Sequence, residues 1–328
     1  MKKLFTLSAL LLATVVFAQD EPKKLSISGS VDTYFQTYLT APDNIEQSFG
    51  TSFANQTGFA LGMANVIASY EGEKTGAVAD LAFGTRGTQA AGDGPDLYIN
   101  QLYAYWNVSE STTLTMGRFN TFLGYEVISP VANFNYSTSY LFSSGPFSHV
   151  GLKADFALSD DFSLMVAVMN PTDVNNNLVG GYALGAQVGY KGQFLNFYYD
   201  DNEILGLEID YTGGFDLSDS FFLGINGAYQ TMEDAGFYGA ALYPQVAATD
   251  NFSVGLRGEF FGYHEKDVDD LPSVFATTLT ASYTLENLII KPEIRLDSWS
   301  NDMPYYKNSN MDMSENLAAF TLAAIYSF

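Results

Sequence analysis

From residue 26 to the end, apolar and polar residues alternate in short segments with a period of two. That is the pattern of β-strands with one apolar and one polar face. In 252–263, Phe252, Val254, Leu256 and Phe260 fall on one face, with Ser253, Arg257 and Glu259 on the other. In 288–298, Leu288, Ile290, Ile294 and Leu296 oppose Lys291, Glu293, Arg295 and Asp297. In 204–212, Leu205, Leu207, Ile209 and Tyr211 oppose Glu208, Asp210 and Thr212. Seven tight polar turns punctuate the pattern, at 72–76, 109–112, 159–161, 191–193, 217–220, 249–251 and 285–287. Longer segments rich in Asp, Asn, Gly, Ser and Pro separate them, at 40–58, 86–95, 120–146, 170–181, 264–272 and 300–315. Seven turns join eight hairpins, which predicts sixteen antiparallel strands. Pro292 removes a ladder donor and predicts a local bulge or strand end.

Short turns alternating with long loops predict an all-β transmembrane antiparallel β-barrel, with periplasmic turns, extracellular loops and both termini periplasmic. Beyond the N-terminal segment no stretch approaches 18 consecutive apolar residues. In lipid every backbone donor and acceptor must be paired within the protein, so a chain without spanning helices needs a closed barrel. An Arg or Lys on the lipid face near mid-membrane costs about 2–4 kcal/mol. The charged faces are therefore expected to point into a wet lumen. A soluble β-sandwich also alternates, but it hides its apolar face in a core and rarely has so many strands. No fixed-period repeat supports a solenoid.

The first residues form an export signal: Lys2 and Lys3, the apolar run Leu4 to Val16, and a small-residue site at Val16-Phe17-Ala18. The expected organisation is a signal peptide at 1–18, a periplasmic segment at 19–25 and a barrel over 26–328. The formal charge of −23 becomes −25 once Lys2 and Lys3 are removed, which argues against nucleic acid as a partner. With no Cys in the chain there is no disulfide, thiolate metal site or lipoprotein anchor. Aromatics make up 15% of the residues, and those near strand ends are expected to form interfacial girdles. They are Tyr70, Trp106, Phe162, Tyr190, Phe252, Tyr283, Trp299 and Tyr326.

In the last strand Phe320, Leu322, Ala324, Tyr326 and Phe328 alternate with Ala319, Thr321, Ala323, Ile325 and Ser327. This resembles the C-terminal signal by which the barrel assembly machinery recognises outer-membrane proteins. Residues 117–153 carry a second resemblance, in Gly117-Arg118-Phe119, Gly124-Tyr125-Glu126, Asn133, Ser137, Ser139, Gly145-Pro146 and His149-Val150-Gly151. They are similar to the beta-barrel porin-2, OmpL-like family of Gram-negative outer-membrane proteins. The resemblance extends from about residue 25 to Phe328 and implies a barrel of about sixteen strands acting as a general outer-membrane channel for small hydrophilic solutes. It implies outer-membrane lipid and lipopolysaccharide as surroundings. A homo-oligomer enters by analogy with general porins.

The 120–146 segment is long for a hairpin connection. It is a candidate to fold inward, with Arg118 and Glu126 either placing opposite charges at a constriction or pairing to anchor it. Further pore-lining candidates are Lys153, Asp155, Glu208, Asp210, Arg257, Glu259, Lys291, Glu293, Arg295 and Asp297. Tyr103, Tyr105, Arg257 and Arg295 are candidates for a binding path. Acids crowd the loops (Asp43, Glu46, Asp93, Glu233, Asp234, Glu265, Asp267, Asp269, Asp270, Asp302, Asp312 and Glu315) and favour cations at the mouth through their summed field. The run 265–270 lacks the ligand spacing of an EF-hand, so no metal or cofactor is expected. The two histidines, His149 and His264, stand in no hydrolase motif, so a barrel enzyme is disfavoured. The main alternative to a channel is a closed structural or adhesive barrel.

Overall fold

The computed structural model describes residues 24–45, 47–91, 98–178, 180–300 and 306–328. The signal peptide expected at 1–18 lies outside these residues, as do 19–23 and the loop acids Glu46, Asp93 and Asp302. In chain order the strands begin with β1 Lys24–Tyr38, β2 Gly58–Glu71, β3 Thr75–Phe83, β4 Ile99–Ser109, β5 Thr112–Asn120 and β6 Ser148–Ala157. They continue with β7 Phe162–Met169, β8 Ala183–Tyr190, β9 Gln193–Tyr199, β10 Leu207–Ser218, β11 Phe221–Met232 and β12 Ala235–Ala247. β13 Phe252–Glu265, β14 Ser273–Leu285 and β15 Leu288–Trp299 follow. A small loop ladder, β16 Tyr306–Lys307 with β17 Met313–Ser314, precedes β18 Asn316–Ser327. Among the described residues two short helices, α1 Gly84–Ala91 and α2 Tyr140–Ser144, interrupt the loops.

β1 to β15 and β18 close into one antiparallel barrel of sixteen strands, each paired with its sequence neighbour, and β18 bonds both β15 and β1. At the seam Gly29 and Phe328 exchange backbone hydrogen bonds of 3.1 and 3.0 Å. Closure leaves no unpaired edge, the condition lipid imposes on a sheet.

All seven expected turns join the expected strands. On the other rim most connections are long, but 200–206 and 266–272 are short, the latter expected among the longer segments, and 233–234 has two residues. Glu233-Asp234 lacks the Asn-Gly or Gly pair that marks a tight hairpin, although Glu233 takes the required left-handed backbone at φ 55°.

The period-two dyad sorts the faces as expected. Phe252, Leu256, Phe260, Ile294 and Leu296 are exposed outward, whereas Arg257, Glu259, Lys291, Glu293, Arg295 and Asp297 are buried inward. Leu322, Tyr326 and Phe328 of the terminal strand are exposed outward as well. The expected bulge at Pro292 is absent: β14 and β15 keep one register from Thr280↔Glu293 to Tyr283↔Ile290. The proline only interrupts the ladder, and Pro292 remains opposite Leu322. Tyr70, Trp106, Phe162, Tyr190, Phe252, Tyr283 and Tyr326 are exposed near the turn rim, but Trp299 is not a girdle residue. It points inward, 7% exposed, with its ring 5.5 Å from that of Tyr140. Phe59, Phe83, Tyr98, Tyr182, Tyr199 and Tyr263 are exposed near the loop rim.

Unlike a soluble sandwich, the molecule keeps its core inside the barrel. Tyr38, Phe49, Tyr140, Phe261, Trp299, Tyr306 and Leu317 form the largest cluster, and Phe53, Met63, Ile128 and Phe142 belong to a second. Both contain loop residues inserted between the walls.

Candidate functional site

The segment 121–147 leaves β5, enters the lumen and returns to β6. A backbone bond of 3.0 Å from Thr121 to Phe147 closes its neck. Inside, the Asn133 side chain accepts from Val127 N at 2.9 Å and donates to Val127 O at 2.6 Å, forming a tight turn. Ser139 caps α2 by accepting from Phe142 N. Leu123, Ile128, Tyr136, Tyr140, Leu141 and Phe142 are all buried. An irregular backbone at this depth is tolerated only where protein or water supplies its hydrogen bonds. Here the barrel wall supplies them.

The inner faces of β13 and β15 form this anchor. Arg257 donates to Glu126 at 2.7 Å, to Ser137 O at 2.7 Å and to Thr278 at 3.0 Å. Glu259 accepts from Tyr140 N at 3.0 Å and Leu141 N at 2.8 Å, the two leading amides of α2. Glu293 accepts from Tyr136 N, Ser137 N and Thr280 at 2.8, 3.1 and 2.8 Å. Lys291 donates to the carbonyls of Pro130 and Asn133. Arg295 and Asp297 share two bonds of 2.8 Å, and Arg295 also donates to Thr138 O at 3.0 Å. Removing charges from water costs several kcal/mol per ion, so each carries an opposite charge or several backbone partners.

Arg86 from α1 completes the anchor. It donates to Ile128 O at 3.1 Å and Tyr136 O at 2.8 Å, with its guanidinium 4.6 and 4.9 Å from the ring centroids of Phe53 and Tyr136. Tyr136 donates to Asp32 at 2.5 Å and Tyr140 to Asp297 at 2.7 Å. Burial lifts both tyrosine hydroxyls above their ordinary range, so each remains a neutral donor. Tyr306 beside Tyr140 is pushed up to about 12, by burial first and then by Asp297. Arg86, Asp32 and Tyr136 escape sequence reading, because their roles depend on where two loops land.

Arg118 and Glu126 do not meet. Arg118 donates to the carbonyls of Asn100 and Ala90, both at 3.2 Å, and to Asn175 at 2.6 Å. It follows Gly117, whose φ of 137° admits no side chain: a Cβ there would lie 2.2 Å from Leu102 O. Glu208 and Asp210 face inward at the neck, where Asp210 accepts from Gly124 N at 3.0 Å. His149 is buried and shares a hydrogen bond of 3.0 Å with Thr121. The His264 ring bonds Gln230 O and stacks on Tyr229. Neither histidine is bonded to a carboxylate among the contacts of the described residues.

On most strands only the inner residues nearest the turn rim are accessible. Ser253, Ser282 and Ile289 are half-buried, whereas Gly255, Thr280 and Lys291 above them are buried. The inner faces of β4 and β6 differ: Gln101, Tyr103, Tyr105 and Asn107 on β4, and Gly151, Lys153 and Asp155 on β6, stay half-buried, while Thr115 and Phe119 on β5 between them are buried. Lys153 and Asp155 pair at 2.7 Å, with side chains 24% and 40% exposed. Opposite the wet lumen expected at Arg257 and Arg295, the interior at that height is protein. The accessible strip carrying Tyr103, Tyr105, Lys153 and Asp155 lies elsewhere on the circumference.

A closed sixteen-stranded antiparallel barrel, apolar outside and narrowed by an inward loop, is the architecture of outer-membrane channels. The chain belongs to the family described as putative beta-barrel porin-2, OmpL-like, whose model matches residues 24–328. Its fold is similar to the outer membrane channel DcaP of Acinetobacter baumannii, at TM-score 0.61 and 12% identity over 93% of this chain and 97% of that one. It is also similar to the anion-selective porin from Comamonas acidovorans, at TM-score 0.59 and 10% identity over 94% and 100%. OmpT of Vibrio cholerae matches at TM-score 0.56 and 9% identity over 95% and 99%. No curated protein matches the chain. Family and neighbours together identify an outer-membrane β-barrel channel.

Proposed function

We propose that the protein is a passive porin, and no enzyme, that admits small hydrophilic solutes along the β4–β6 wall. One observation carries this reading: among the described residues, β4 and β6 keep polar inner residues half-accessible, from Asn107 to Gln101 and at Lys153 and Asp155, while the inner faces of β13 and β15 are covered by the loop. The strip offers Tyr and Gln side chains and the Lys153–Asp155 pair, a lining suited to hydrated solutes. Exposed acids on the loop rim, among them Glu233, Asp234, Glu265, Asp267 and Asp269, support a weak cation preference. The reading includes turns facing the periplasm, lipid and lipopolysaccharide around the apolar face, and export by a cleaved signal peptide. It also includes assembly through the outward residues of β18 and a homo-oligomeric state.

The test is single-channel conductance of the refolded mature chain in planar bilayers under salt gradients. Conductance steps that scale with salt, with a cation-side reversal potential, are the expected result. Lys153→Glu should move that potential further towards cations. Anion selectivity would defeat the cation preference. The buried charges of β13 and β15 favour a second reading, a closed structural barrel, which silence from a folded, heat-modifiable barrel would support.

A further inference from the structure

Across β4, β5 and β6 the strand register sets out three rows: Asn107, Thr113 and Asp155, then Tyr105, Thr115 and Lys153, then Tyr103, Gly117 and Gly151. Between the long side chains of β4 and β6, β5 offers two threonines and a glycine. The Tyr105 ring lies towards β3, in the space that a side chain on Gly76 would need: a Cβ there would collide with its Cε1, Cζ and Oη. The ring is half-buried and presents the rest of its surface to the lumen. Tyr103 stands on the same face two residues away, about 7 Å along the strand. Neither tyrosine hydroxyl has a hydrogen-bond partner among the described residues. Gln101 and Asn107 accept through their oxygens, from Asn120 N at 3.3 Å and Thr113 at 3.0 Å, which leaves both amide nitrogens free to donate. The charges in these rows, Lys153 and Asp155, take each other at 2.7 Å. Asp80 on the inner face of β3 is occupied by Asn65 at 3.1 Å and Asn100 at 2.6 Å.

We propose, resting on the porin reading above, that this strip binds neutral oligosaccharides. Tyr103 and Tyr105 are the stacking platforms, and the amide nitrogens of Gln101 and Asn107 are the partners of sugar hydroxyls. A sugar ring has an apolar C–H face and a rim of hydroxyls, so it asks for aromatic surface flanked by uncharged polar groups. The strip supplies both. A dicarboxylate would need a free cation, and a zwitterion would need two separated countercharges. Lys153 and Asp155 satisfy each other and leave neither charge free. Two rings in line along one strand can hold successive sugar units, so a short chain should bind better than a single ring.

The full mature chain, refolded in detergent, is titrated by calorimetry with maltotriose and with glucose, and maltotriose is added to single channels of the same protein in planar bilayers. The expected result is saturable binding of maltotriose, weaker binding of glucose, and a saturable fall in conductance on maltotriose. Tyr105→Leu, which fills the space over Gly76 without an aromatic face, should bind maltotriose about fivefold more weakly, and Tyr105→Phe within about twofold of the wild type. Trp106→Leu, on the lipid face of the same strand, is the control and should bind as the wild type does. Absence of maltotriose binding by a folded, heat-modifiable wild type overturns the proposal, and a conducting channel in that case leaves the porin reading standing. Equal binding by wild type and Tyr105→Leu overturns it too, as does stronger block by succinate or triglycine than by maltotriose. Binding that depends on Tyr105 in a barrel that carries no current supports the sugar strip and defeats the porin reading.

Discussion

Arg257 is fully buried, and its position was legible while its partner was not. The two-residue period puts it on the inner face of β13, but Glu126 lies 131 residues away and reaches it only through the path of the loop. Arg257→Ala should leave Glu126 buried with Ser139 N as its remaining partner, at a cost of about 3–5 kcal/mol. The urea midpoint of the folded barrel measures this. Replacing the pair together, Arg257→Met with Glu126→Leu, should recover most of the loss, since apolar groups of similar volume often replace a buried ion pair without penalty. A cost below about 1 kcal/mol for the single variant would mean that the pair is solvated. Tyr306 supplies a pH test. Its pKa is raised to about 12 in the fold against about 10 unfolded, so its contribution is complete below pH 10 and is lost between about pH 10 and 12. Alkaline titration should show that decline in the wild type and a smaller one in Tyr306→Phe.

At the scale of elements, legibility followed the strength of local signals. Turns built on Gly-Glu-Lys or Ser-Asp-Asp declare themselves, and all seven join the strands they were expected to join. The 233–234 hairpin declares nothing, because Glu-Asp is equally acceptable as exposed strand. α1 was hidden for a different reason: Gly84 and Gly87 weaken helix propensity, and the helix exists because Ala82 and the loop pack against it. β5 shows how one residue steers an element. Gly117 absorbs a left-handed backbone so that Arg118 can reach the carbonyls of Ala90 and Asn100. Gly117→Ala should therefore cost about 1–3 kcal/mol in urea unfolding, the range for a strained non-glycine backbone. Ala in place of Gly258, where a Cβ meets nothing within 4 Å, is the control and should be nearly neutral.

For the whole molecule the question is what limits passage. Sixteen strands enclose an aqueous channel unless something fills it, and here the segment 121–147 with α1 does. The sheet does not depend on that filling. Every barrel strand is paired on both sides, and the outward apolar face remains satisfied by lipid whatever the lumen holds. Replacing residues 127–139 with a short Gly-Ser linker should leave a heat-modifiable barrel. It would release Lys291, Glu293 and Arg295 from their loop partners into water, where their charge costs little. Conductance should rise several-fold over the wild type, and the new selectivity should follow the mixed charges of β13 and β15. Arg257→Ala, which loosens the loop without removing it, should give intermediate or flickering conductance. An unchanged conductance in the shortened variant would mean that the β4–β6 strip already carries all the current, with the loop serving only as packing. That outcome would move the constriction to the Lys153–Asp155 pair, where Asp155→Asn should then alter the current most.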